Sequence, residues 1–433
     1  MQPALREHAL RIPLTNEVHA RPYARLRAPE RATYLAVVSG EDAMELDRLH
    51  VSRLCRYYGS AEPAGDAKHL MVDLGEYRLK WERHTEFSSY TFLQRASATE
   101  GLFQQPVINL VPQDWLKDIP GELLVGMHLE LEPSDTPELT QESLPSLFGA
   151  ENFASSMVAG GAARATMDFA ISADGFGRAL VRDVSLQPQQ AGRLCQRLFE
   201  IETYRMMALL AFPLVQRYGP QLTSAASRLM TITEKVTSIG SLEDEHQLFE
   251  ELTRLSAEVE RVAAETEYRF GASRAYFALV ERRIRELREE RVEGEQTIGE
   301  FMERRLAPAM RSCQSLANRL DRLSQRLARS SELLRTRVDI QLEAQNSSLL
   351  ASMDRRARVQ LRLQETVEGL SVAAITYYLV GLINYFARAT EASGIPINTT
   401  IVTGFSIPVV IVLVWMGVRR IRRRLSQAST PED

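Results

Sequence analysis

Hydrophobic positions along this chain follow three periods in succession. Between about Thr33 and Ser185, apolar and polar residues alternate in short runs rich in β-branched and aromatic side chains, separated by turn residues. Residues 33–38, 69–74, 77–84, 87–92, 122–131, 163–171 and 177–184 are predicted strands, and residues 41–58 a predicted helix. Asp174-Gly175 between two alternating runs predicts a hairpin. No helical pattern follows Gly175-Phe176-Gly177, so that string lacks the context of a phosphate loop. Residues 133–145, rich in Pro, Ser, Thr and acids, read as an exposed connection.

From about Pro188 the period becomes helical. Residues 190–218 and 221–236 are predicted helices, with Pro213 expected to kink the first, and residues 242–305 form a charged helical region. Between Pro308 and Pro396 there is no proline, so one helix of on the order of 120 Å can run from residue 309 to residue 387. Along it Leu316, Leu320, Leu323, Leu327, Leu334, Val338, Leu342, Leu349 and Met353 recur mostly at three- and four-residue steps, the seam of a helical bundle or coiled coil. Such a seam needs cover, either from residues 242–305 or from other subunits, and the pattern leaves both open.

The third pattern is continuously apolar. Residues 370–387 and 401–418 are each about as long as the shortest helices that cross a hydrocarbon core of roughly 30 Å. The short connection through Gly394-Ile395-Pro396 makes them an antiparallel hairpin. Arg355, Arg356, Arg358 and Arg362 precede the first span and Arg419, Arg420, Arg422, Arg423 and Arg424 follow the second, while the connection holds only Arg388 beside Glu391. Basic residues stay on the cytoplasmic side, so both termini are expected there, in a bacterial inner membrane. The expected class is α+β: a cytoplasmic mixed α/β domain (1–187), a long-helix stalk or coiled coil (188–369), a two-helix transmembrane hairpin (370–418) and a basic tail (419–433).

Composition narrows the chemistry. The chain has 433 residues, 45% of them hydrophobic, enough for a sizeable core. Arg6, Glu7, His8 and Arg11 interrupt the first twenty residues, so no signal-peptide core is expected and insertion relies on the C-terminal spans. Cys55, Cys195 and Cys313 are far apart and suggest buried thiols rather than disulfides or a zinc site. A net charge of −4 gives no global attraction to nucleic acid, and no nucleic-acid partner is expected. The seven His residues are scattered, and no common catalytic string occurs, so no catalytic residues are assigned.

The two spans differ in polarity. Residues 401–418 are nearly all aliphatic, whereas 370–387 carry Ser371, Thr376, Tyr377, Tyr378, Asn384 and Tyr385. Hydroxyls and carboxamides facing lipid lose water without gaining a partner, so the first span is expected to be the inner one of an assembly. Ala373, Tyr377, Gly381, Asn384 and Arg388 share one helical stripe. That stripe either lines a pore or packs helix on helix.

The order of parts, a cytoplasmic α/β domain, charged helices, a stalk helix entering the first span, a short outer loop, a second span and a basic tail, resembles the CorA-type metal ion transporters. That resemblance implies a homopentamer in the lipid bilayer and an ion transporter or channel. Those transporters end the first span with Gly-Met-Asn; here the string is Gly381-Leu382-Ile383-Asn384, one residue longer. At motif level, Asn16-Glu17-Val18-His19-Ala20-Arg21-Pro22, Trp81-Glu82-Arg83-His84-Thr85-Glu86-Phe87 and Glu202-Thr203-Tyr204-Arg205 resemble an uncharacterised bacterial family of membrane-anchored proteins of about this length.

Two of those strings can carry chemistry. With strand alternation, Glu82, His84 and Glu86 share one face, where two carboxylates and an imidazole suit a divalent cation; the plainer alternative is a solvated face with cross-strand ion pairs. Glu17 and His19 precede Pro22 on an extended or loop segment and are the candidate partners that would complete such a site. The leading expectation is therefore a homo-oligomeric inner-membrane protein of CorA-like architecture, an ion transporter or channel. A membrane-anchored scaffold or sensor without transport is the alternative, and a membrane-bound hydrolase using Glu17, His19, Glu82 and His84 is the third.

Overall fold

The computed structural model describes residues 8–12, 14–15, 23–96, 101–137, 144–148, 153–238, 242–393 and 396–427. The chain divides into two compact units, one from Met1–Ile239 with Gln247–Ser331 and the other from Gly240–His246 with Glu332–Asp433.

The first unit is built on one sheet. Its strands are β1 (Glu30–Val38), β2 (His69–Asp73), β3 (Arg78–Arg83), β4 (Phe87–Arg95), β5 (Glu122–Pro133), β6 (Ala154–Val158), β7 (Ala163–Met167), β8 (Gly177–Asp183) and β9 (Glu290–Arg291), in the order β2-β3-β4-β1-β5-β8-β7-β6-β9. Neighbours are antiparallel except β5 and β8. Alternation sends Leu79, Trp81, Tyr90, Phe92, Leu35 and Val37 to one face, where α1 (Met44–Tyr57) covers them with Val51, Leu54 and Cys55. Trp115, on the short helix α2 (Gln113–Lys117), closes the same core and donates its indole N–H to the His50 carbonyl at 2.9 Å. A further short helix, α3 (Leu144–Phe148), packs Leu144 and Phe148 against Phe103 and Leu180.

The opposite face lies under α4 (Pro188–Leu209). Tyr34 stacks on Phe199 at 4.6 Å between ring centroids, and its hydroxyl meets Thr203 Oγ1 at 2.9 Å. With both faces covered, strand residues of either parity are buried: all of β1 except Val38 is inaccessible.

Most strand ends before α4 shift from the sequence expectation by one to three residues, and two departures are larger. The run 163–171 ends as a strand at Met167, because Asp168 turns the chain, accepting the Ala170 N–H at 3.2 Å, and Phe169 takes a left-handed φ of 53°. The strand β6, Ala-Ser-Ser-Met-Val, lacks a β-branched or aromatic run; it is held by pairing with β7 and by a bond of 3.0 Å between Ser155 Oγ and Thr166 Oγ1.

The helical region is also cut differently. Instead of a kink at Pro213, α4 ends at Leu209 and α5 (Phe212–Ser238) begins anew, placing Pro213 in its first turn, where a missing N–H costs no helical bond. Pro220 lies inside α5. Residues 242–305 hold α6 (Leu242–Leu287), the short β9 and α7 (Ile298–Arg305), which a Thr297–Glu300 capping box opens. Next comes α8 (Ala307–Ala392), 86 residues in one helix, with Pro308 in its first turn.

The stalk seam splits into two parts. In the first unit Leu316, Leu320, Leu323 and Leu327 are all at most 5% exposed. There they join the buried rows Leu222, Ala225, Leu229 and Ile232 of α5 and Leu248, Leu252, Leu255, Val259 and Val262 of α6. Arg319 to Thr223 Oγ1 at 3.0 Å and Arg228 to Glu258 at 2.8 Å bind α8 to α5 and α5 to α6. In the second unit Leu334 is buried and Arg337 pairs with Glu245 at 2.9 Å. From there on the seam is bare: Leu342 is 43% exposed, Leu349 63% and Met353 66%.

The second unit ends in the predicted hairpin. The end of α8 and the helix α9 (Thr399–Gln427) are each long and apolar enough to cross a membrane by length and composition. Among the described residues of the two apolar stretches, Thr376 and Ala387 on α8 and Val410 and Val414 on α9 are buried.

Candidate functional site

The polar face of β3 does not meet solvent. Lys80 and Glu82 point under α4, each 6% exposed, and pair at 2.9 Å. Two charges buried together must find further hydrogen bonds to offset their lost hydration. Lys80 Nζ donates to Gln196 Oε1 at 2.7 Å, and Gln196 Nε2 donates to Glu200 Oε1 at 2.8 Å. Arg283 of α6 then binds Glu200 and also Glu286, at 2.9 Å, which Arg197 reaches at 3.3 Å. A continuous polar relay thus runs from the sheet through α4 to α6. Of the buried side-chain atoms in this relay, Glu82 Oε1 is left without a hydrogen-bond partner among the described residues. The cavity beside it has a volume of about 30 Å³, room for one or two waters but not for a substrate.

Glu86 starts a second tie. The strand β3 stops at Arg83, so His84, Thr85 and Glu86 form the turn into β4 and do not continue the face of Glu82. Glu86 is 6% exposed and binds Arg269 of α6, while the Tyr276 hydroxyl donates to it at 2.8 Å. Burial, with the Glu86 carboxylate adding to it, pushes the Tyr276 phenol up. The neighbouring Tyr268 hydroxyl donates to Glu41 at 2.8 Å, and burial raises its pKa to about 12. His84 stacks on Phe87 at 4.3 Å.

The expected exposed trio of Glu82, His84 and Glu86 is therefore corrected: both carboxylates are buried and engaged by cations, and each residue faces a different neighbour. Among the described residues no group of three His, Cys, Asp or Glu side chains is placed to hold a metal. Glu17 and His19 lie outside the described residues.

Two of the three motif strings meet here. Thr203 of the Glu202–Arg205 string reaches Tyr34, Tyr204 stacks on Tyr276 at 5.8 Å, and Glu202 holds Arg205 at 2.8 Å. Sequence reasoning missed Gln196, Glu200, Tyr276 and Arg283, since their partners are 83 to 190 residues away in the chain.

The candidate pore stripe lies in the second unit. Tyr377 is 77% exposed, and Ala373 is also exposed. Gly381 and Asn384 are half-buried at the edge of the hairpin contact, where Thr403 Oγ1 donates to Asn384 Oδ1 at 3.3 Å. Arg388 is exposed. The five stripe residues share a side of α8, and Asn384 also serves the contact with α9.

No curated protein matches the chain. A solved structure titled "structure of the full-length CmaX protein" is 15% identical, covering 76% of this chain and 94% of that one, with a TM-score of 0.17, a value that carries no argument. The match that does extend over the whole architecture is to a family model spanning residues 6–425, from before β1 through both apolar helices, and on it the chain belongs to DUF3422, the family described as "Protein of unknown function".

Proposed function

We propose that the chain is a homo-oligomeric inner-membrane protein of CorA-like architecture, with the first span innermost and an ion as its cargo. One observation carries the reading. On α8 the side chains left bare by the hairpin include Tyr377, Tyr378 and Tyr385, at 77%, 71% and 72% exposure, whereas the large side chains left bare on α9 are mostly aliphatic, Ile401, Val409, Ile411, Val412 and Leu413 among them, with Phe405 and Trp415 and no tyrosine. Phenol hydroxyls in a hydrocarbon phase gain from protein or water partners, while aliphatic side chains do not. Further copies packed around α8 supply those partners, and a helix ringed by copies of itself encloses an axis. Arginines on both flanks of the hairpin favour cytoplasmic termini. The CorA resemblance implies five copies.

A second reading, a membrane-anchored scaffold or sensor without transport, draws on the Thr403–Asn384 bond. A carboxamide engaged in hairpin packing is less available to exchange with the hydration shell of an ion.

One preparation separates the two. Full-length protein in liposomes is expected to pass cations, Asn384→Leu to lose at least about tenfold of that flux with assembly intact, and Ser393→Cys to label from outside intact spheroplasts. Absence of flux in the wild type, with the same labelling, selects the scaffold; labelling from the cytoplasmic side overturns the orientation.

A further inference from the structure

A cleft of about 950 Å³ opens in the first unit where the segment entering β1, the ends of β3 and β4 and the start of α4 meet. Four guanidinium groups line it, those of Arg25, Arg27, Arg78 and Arg95. The segment that carries two of them is extended, and alternation buries Ala24 and Leu26 while exposing Arg25 and Arg27 on the same side. It is clamped to α4: the Leu26 N–H donates to the Pro188 carbonyl at 3.0 Å. Below it, a Cβ on Gly192 would stand 1.7 Å from the Ala24 carbonyl oxygen, so only glycine allows this approach. Arg25 and Arg27 are thereby held on a fixed rim.

Three carboxylates also line the cleft: Glu30 and Asp73 are engaged, and Glu76 is exposed. Glu30 is 3% exposed, binds Arg78 and accepts the Arg27 N–H at 3.0 Å, and Arg78 also donates to the Arg25 carbonyl at 3.2 Å. Asp73 accepts the Gly75 N–H at 2.9 Å in the β2–β3 turn. The guanidinium groups of Arg25, Arg27 and Arg95 have no hydrogen bond or ion pair among the described residues. Three free planar cations beside a braced fourth, in a cavity within the roughly 300–1,000 Å³ range of small-molecule sites, match a ligand with several anionic oxygens better than a single carboxylate.

We propose that this cleft binds a phosphate-bearing ligand of nucleotide size, its phosphates on Arg25, Arg27, Arg78 and Arg95. Such a phosphate comes either from a soluble polyphosphate ester or from a phospholipid headgroup. Titration calorimetry on detergent-solubilised full-length protein, with ATP, inorganic pyrophosphate and monomeric short-chain phosphatidylglycerol as probes, tests it. Binding is expected to weaken as salt rises and to fall at least about tenfold in Arg25→Ala/Arg27→Ala and in Arg95→Ala, exposed positions whose loss leaves the fold intact. Loss confined to ATP and pyrophosphate supports the soluble source, and loss confined to the lipid probe supports the headgroup. No binding of any probe, or binding that both variants retain, overturns the proposal. Unchanged thermal unfolding of the variants keeps a folding defect from imitating the loss.

Discussion

Glu130 shows how burial governs a single residue. It is 8% exposed on β5, accepts the Phe103 N–H at 3.2 Å and lies near Arg31, yet desolvation dominates and raises its carboxyl pKa from 4.5 to about 7. Asp168 is moved the same way, to about 6. A carboxyl with a raised folded-state pKa binds its proton more tightly when folded, so its stabilising contribution is complete below pH 4.5 and is lost as pH rises through about 7. Glu130→Gln removes the charge and keeps an acceptor for Phe103. Relative to wild type, the variant is expected to gain stability between pH 5 and pH 8, by about 3 kcal/mol at most, in thermal unfolding measured at both pH values. A difference that stays constant across that range would show that Glu130 does not titrate there.

The same scale shows what the sequence could not reveal. Alternation along β3 puts Leu79 and Trp81 on one face and Lys80 and Glu82 on the other. The polar face reads as solvated because nothing local announces α4, whose Gln196 lies 116 residues after Lys80. Strand alternation also does not reveal where a strand stops, and the end of β3 at Arg83 is what removes Glu86 from the face of Glu82.

At the scale of elements, the uninterrupted α8 was legible because proline alone would have broken it, and none occurs between Pro308 and Pro396. The leucine seam was legible as a period but not as a contact. Its first part is satisfied inside the chain by α5 and α6, and its second part stays bare. Leu320→Ala, at 5% exposure, is expected to cost about 2–5 kcal/mol in the unfolding of the first unit. Leu349→Ala, at 63% exposure, is expected to change that transition by less than about 0.5 kcal/mol. Denaturant titrations followed by circular dichroism compare the two, and equal effects would contradict the division of the seam.

For the whole molecule, the α+β class and the two apolar C-terminal helices follow from period and composition, since both depend on local pattern. Assembly depends on surfaces that one chain cannot cover. Bare leucines on α8 from Leu342 to Leu363, and exposed tyrosines on the apolar stretch that follows, are the features on which the proposed assembly rests. Light scattering on the detergent-solubilised full-length protein, corrected for bound detergent, tests this most directly. A protein mass several times the 48.9 kDa of one chain is expected, with the multiple reduced when Leu349 and Met353 are replaced by Asp; a wild-type mass of 48.9 kDa would contradict assembly and, with it, any pore along the first span.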